Sequence, residues 1–238
     1  MLYFNFSYLW VLLPAMLFAI YAQSKVNSTF HQYSRLANRR GLTGEAAARA
    51  LLQAAGIYDV QVERVGGHLT DHYDPRTKVL RLSSDVYDST SLAAVGVAAH
   101  ETGHAIQHAQ GYLFLRLRTA LVPISSLGSN LAMPMILLGL LFGATTTSSG
   151  GLGGHLIELG ILFFSLAVLF TVITLPVEFN ASHRAVVMLG QEGLLAPEEL
   201  TPVKKVLGAA AMTYVAATAS ALASLLRLLL IFGGRDRD

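Results

Sequence analysis

The sequence predicts a mainly α-helical membrane protein, with about four membrane helices and one small α+β region that holds most of the charge. Three observations lead there. Of the 238 residues, 53% are apolar and 13% charged, against roughly 25% charged in an ordinary soluble domain; the mean hydropathy is +0.50. The charges cluster, so that no Asp, Glu, Lys or Arg occurs in residues 1–24, 119–157, 159–177 or 206–226. A helix that spans a bilayer needs about 20 mostly apolar residues, and these gaps can supply four. The third observation is the alternation of short helix-like and strand-like patterns between residues 25 and 118.

Taken in order, residues 1–24 form the first expected transmembrane helix. A cleaved signal peptide fits less well, because no basic residue precedes the apolar run and no Ala-x-Ala site follows it. Lys25, Arg35, Arg39 and Arg40 come directly after it, and the bias of Lys and Arg towards the cytoplasm then sets the N-terminus outside and the next region inside. In region 25–118, Thr43 is a helix N-cap ahead of the Ala-rich run 46–55, and Gly56 ends that helix. Residues 59–65 alternate with period two and read as a strand; 78–82 read as a second strand. Asp74-Pro75-Arg76 between them is turn chemistry. Residues 91–110 form the next helix, with Gly111 as its stop.

Residues 119–175 read as a transmembrane hairpin. Its first span is 121–142, its connection the Thr/Ser/Gly-rich stretch 144–154, and its second span 153–175, with Pro176 at the exit. Residues 176–210 return to the side of the α+β region, and 191–205 suggest a loop and a short helix. Residues 211–238 hold a last apolar helix, 212–232, and a polar tail. Arg227 inside that helix is costly against lipid, so the helix spans, lies in the interface, or packs Arg227 against protein.

The chemistry concentrates in His100-Glu101-Thr102-Gly103-His104. With about 3.6 residues per turn, positions i and i+4 share a helix face, so His100 and His104 can address one metal ion. Glu101 sits about 100° round the helix, suited to act as a base on a water at that ion. Neutral imidazoles with an open tetrahedral position suit Zn2+. The flanks 91–99 are small and uncharged, as in a buried helix rather than a solvated one bearing two chance histidines.

A catalytic zinc usually takes three protein ligands. The metzincin pattern would take a third histidine three residues after a glycine further along the same chain segment. The two positions concerned are occupied by Gln107 and Gln110, which excludes that pattern. His108 is too far along a straight helix to join the other two and is expected at the surface or beside the site. The preferred third ligand is Glu178, where the chain re-emerges on the catalytic side, with Ser182 one turn on able to bond near the ligands. The competing reading pairs Glu178 with Arg184 at the interface. Glu158 falls on the far side of the membrane, and His183 is a weaker rival ligand or an oxyanion donor. Asp71-His72-Tyr73-Asp74 is dense in polar groups. Either His72 or Tyr73 stabilises a reaction oxyanion, or the segment is a hydrogen-bonded turn.

On segments 42–44, 67–76, 98–108, 175–179 and 207–216, the chain resembles the YugP-type neutral zinc metallopeptidases of bacterial membranes. More distantly, His-Glu-x-x-His with a later Glu-x-x-Ala is similar to membrane gluzincins such as HtpX and the CAAX prenyl proteases. Those families carry Asp where this chain has Ser182. The resemblance implies a zincin-like catalytic domain and a zinc endopeptidase acting on a peptide or protein substrate.

Composition excludes other classes. A formal charge of +2 and no basic stripe interleaved with aromatics point away from nucleic acid. With no cysteine, thiolate chemistry and disulfides are absent. Two other readings compete with a multi-pass membrane peptidase whose site faces the cytoplasm: an inactive adaptor stapled by zinc, and a metal transporter with the motif lining its path. An exposed strand near the motif could pair with an extended peptide, or it could simply complete the domain core.

Overall fold

The computed structural model describes residues 9–143 and 151–232. The start of the expected first span, most of the expected 144–154 connection and the polar tail lie outside the described residues. Seven helices and three strands follow in the order α1 (Leu9–Tyr33), α2 (Gly44–Ala54), β1 (Gln61–Val65), β2 (His72–Asp74), β3 (Val79–Ser83), α3 (Ser84–Tyr87), α4 (Leu92–Ala109), α5 (Leu113–Gly143), α6 (Leu152–Gln191) and α7 (Pro197–Phe232). The chain divides into two compact units, Met1–Tyr21 with Leu117–Thr174 and Tyr214–Asp238, and Ala22–Arg116 with Leu175–Thr213.

In the second unit, α2 and α4 begin where the sequence caps them. The Thr43 and Ser91 hydroxyls each accept from the backbone N–H three residues on, both at 3.1 Å, a contact contributing about 1 kcal/mol apiece. Gly111 closes α4 in the left-handed region, at φ +63°, which spares the Cβ penalty another residue would meet. The sheet order is β1-β3-β2, with β1 parallel and β2 antiparallel to β3. The expected strands 59–65 and 78–82 correspond to β1 and β3. The third strand corrects the reading of 71–74 as only a turn. Three residues are too short to show a period, so only pairing with β3 reveals β2.

α4 lies between two apolar clusters, one including Phe30, Leu52, Leu80, Leu82 and Ile106, the other Leu51, Leu92, Leu189, Val203 and Leu207. Its small residues let neighbours close in on all sides. A Cβ on Gly103 would stand 2.7 Å from the Ala181 carbonyl oxygen of α6. Gly103→Ala must therefore push α4 and α6 apart, at about 1–3 kcal/mol. The expected result is a lower melting temperature together with weakened zinc binding; wild-type values for both would contradict this close approach.

α6 runs unbroken through Pro176, where the sequence suggested an exit. Likewise, 191–205 and 212–232 do not form separate helices, because α7 is continuous from Pro197. Proline is tolerated at the first helical position, and Pro202 forfeits a single bond near the start. The Glu199 carboxylate fixes this start by accepting from Ala196 N–H and Arg39 N–H, both at 2.8 Å.

Three helices among the described residues, α5, α6 and α7, are long and apolar enough to cross a membrane. Where α5 meets α6, glycines allow backbone-to-backbone approach: a Cβ on Gly128 would lie 2.5 Å from the Phe163 carbonyl oxygen, and one on Gly160 2.9 Å from that of Ala132. Such small-residue contacts are how membrane helices pack when lipid removes the hydrophobic drive between them. Leu127, Leu137, Leu141, Leu162 and Leu169 point outward and are exposed, as side chains that face acyl chains must be.

Candidate metal centre

The site is built from two helices of the second unit. α4 turns His100 and His104 to one side, with ring centroids 4.8 Å apart and planes at 84°. α6 brings Glu178 against them. One Glu178 carboxylate oxygen (Oε2) lies 3.2 Å from His100 Nε2 and 3.5 Å from His104 Nε2. One donor atom from each of the three groups lies within 4.8 Å of the others. Glu178 is 2% exposed. A carboxylate so buried needs compensating positive charge, which a divalent ion among two neutral imidazoles supplies.

Both rings have their outer nitrogens engaged. Ser182 Oγ is 3.1 Å from His100 Nδ1 and Gln107 Oε1 is 3.0 Å from His104 Nδ1. Each oxygen can accept from an Nδ1–H, which frees Nε2 to ligate a metal ion. A histidine that ligates a metal is normally held in this way. The donor set, two imidazole nitrogens and one carboxylate oxygen, fits zinc.

Ser182 stands where the sequence placed it, one turn from Glu178. Arg184 takes no part in the alternative pairing with Glu178; its guanidinium donates to Asn180 at 2.7 Å and to Gln110 at 2.6 Å. Glu158 meets His155 in an exposed pair, and His183 is exposed on α6; neither belongs to the cluster of donors. Glu101 is buried and makes no hydrogen bond among the described residues, while its charge acts on both His104 and Asp71.

The polar segment before β3 separates into distinct roles. Asp71 accepts from the Ser83 backbone N–H at 2.7 Å, and burial pushes its carboxyl up from the usual range. His72 is exposed, with Nδ1 2.8 Å from the Thr70 carbonyl. Tyr73, pushed up to about 12 by burial and by the nearby carboxylates of Asp59 and Asp74, keeps its phenolic proton, and its hydroxyl shares a hydrogen bond with His108 Nδ1 at 2.8 Å. This bond ties the edge strand β2 to the motif helix. Gln107, fully buried, is the site residue that sequence reasoning used only to reject a pattern. Its signal was a polar side chain three residues after His104 on an otherwise apolar helix.

Burial opposes a charge on His104, but hydrogen bonding to Glu178 and the charges of Glu101 and Glu178 outweigh it, so the metal-free ring holds its proton to a higher pH than usual. A protonated ring cannot ligate, so zinc must displace that proton. Apparent zinc affinity is therefore expected to fall as pH drops, beginning above the ordinary histidine range near 6.5. Titration with a zinc indicator at fixed total metal checks this; an affinity flat from pH 8 to pH 6 would contradict it.

Comparison with known proteins points to the same metal. Residues 8–233 match the family described as "Putative neutral zinc metallopeptidase". The chain is 45% identical over 232 residues to "Putative membrane protease YugP" of Bacillus subtilis (strain 168), covering 97% of this chain and 99% of that protein. No solved structure matches the chain. With a family match across nearly its whole length and a set of donors suited to Zn2+, the chain belongs to this zinc metallopeptidase family of membrane proteins.

Proposed function

We propose that the protein is a membrane-embedded zinc endopeptidase in which His100, His104 and Glu178 hold the ion and Glu101 is the general base. The convergence of two imidazole Nε2 atoms on one buried carboxylate carries this reading. A zinc ion held by these three groups would supply Lewis acidity, to polarise a peptide carbonyl and to make water more acidic. Glu101, with no hydrogen bond to any described residue, takes the proton from the attacking water and passes it to the departing amine nitrogen. Three protein donors among the described residues favour catalysis over a zinc staple, which is normally closed by four. α4, at 18 residues, packs between two apolar clusters of its own unit, which favours a peptidase centre over a permeation path.

The second unit, with its small sheet beside the motif helix, is then a zincin-like domain. β2 is the edge strand tied to α4, and an extended substrate segment can pair along it. His72 at its start remains a candidate donor to the reaction oxyanion. The apolar run ahead of Lys25 makes α1 the fourth span. Lys25, Arg35, Arg39, Arg40, Arg116, Arg118, Arg184, Lys204 and Lys205 all lie in segments on the catalytic side, which supports a cytoplasmic site.

The test is proteolysis by the detergent-purified protein. With zinc, an unfolded protein substrate should yield new N-termini by mass spectrometry; a chelator should stop this and added zinc restore it. Fragments that persist in metal-free protein, or no fragments with one zinc per chain across a panel of unfolded substrates, would contradict the proposal.

A further inference from the structure

We infer that Gln107 is a positioning residue that fixes the tautomer of His104 and, through the same amide, the placement of Glu178. The inference rests on the metal-site reading above. Its first step concerns which way the amide faces. The Gln107 side-chain nitrogen lies 2.8 Å from the Val177 carbonyl oxygen and 2.9 Å from Asn180 Oδ1. A backbone carbonyl can only accept, so the nitrogen, not the oxygen, points towards α6. Asn180 Oδ1 also receives Arg184 Nε at 2.7 Å. It too is therefore an acceptor, and the two contacts agree.

The second step follows from the first. With its nitrogen committed to α6, Gln107 must present Oε1 to His104 Nδ1, 3.0 Å away. An amide oxygen accepts, so it holds the hydrogen on Nδ1 and leaves Nε2 to a metal ion. Without the ion, Nε2 faces Glu178 Oε2 at 3.5 Å, so it is in the metal-loaded site that Gln107 sets the tautomer. Val177 is the residue before Glu178, so the amide that orients the ring also holds the backbone bearing the carboxylate.

Two variants separate the roles. Gln107→Leu keeps volume and helix but offers His104 no acceptor. Gln107→Glu keeps an oxygen for Nδ1–H. Zinc affinity, read by competition with a chromophoric chelator, is expected to fall about 10–100-fold in Gln107→Leu and by less in Gln107→Glu. Nitrogen-15 NMR of histidine-labelled, zinc-loaded protein, assigned by difference with His104→Gln, should show a His104 Nδ1–H slow to exchange with water in wild type and Gln107→Glu. In Gln107→Leu that hydrogen should exchange faster.

A zinc-loaded wild type whose His104 Nδ1–H exchanges as freely as an exposed histidine's overturns the inference, whether or not either variant folds. So does a Gln107→Leu protein that binds zinc as tightly as wild type. If zinc binding depends on His100, His104 and Glu178 but ignores Gln107→Leu, this inference alone fails. If wild type binds no zinc, the metal-site reading fails and this inference falls with it.

Discussion

Glu101→Gln is expected to bind zinc like wild type and to lose peptide cleavage by about 10²–10⁴-fold, the range for removing a general base. The substitution preserves shape, so α4 and its two imidazoles stay in place. What disappears is the capacity to take a proton. The carboxylate is well placed for that task, since it is 9% exposed and bonds to no other described residue. Glu101→Asp, shorter by one methylene, should retain a fraction of the activity. Rates on a quenched fluorescent peptide, alongside zinc content, check this. If Glu101→Gln cleaves as fast as wild type with zinc bound, another group is the base.

Glu178→Ala is expected to cost more metal than any other single change outside the two motif histidines. The substitution removes the only carboxylate in the donor cluster and leaves two imidazoles, which hold zinc poorly alone. Zinc affinity should fall by more than the roughly 10–100-fold typical of losing a group that merely supports a ligand. Glu158→Gln is the matched control. That residue is exposed and paired with His155, so its loss should leave zinc content unchanged. Equal metal content in Glu178→Ala and wild type, by inductively coupled plasma mass spectrometry after dialysis, would assign the third ligand elsewhere.

The parts of this site legible in the sequence were those governed by regular spacing. His100 and His104 share a face because a helix repeats every turn, and Ser182 follows Glu178 by the same rule. The caps at Thr43 and Ser91 and the uncharged spans could be read residue by residue. Harder to read were features decided by contacts distant in sequence. β2 exists because it pairs with β3. α6 passes through Pro176 because the lost backbone bond is offset by packing of Val177, Ala181 and Ala185, all buried. Gln107 looked like a failed ligand position until α6 supplied Val177 and Asn180 as its partners. The start of the helix over 197–232 depends on Glu199, whose carboxylate reaches back to the N–H of Arg39.

The most direct measurement is zinc-edge X-ray absorption on the purified wild-type protein and on Glu178→Gln. Two imidazole nitrogens and oxygen donors at about 2.0–2.1 Å, with the metal lost or its oxygen shell altered in the variant, is the expected result. A shell of three or more imidazoles, or a spectrum identical in the two proteins, would contradict a centre made by His100, His104 and Glu178.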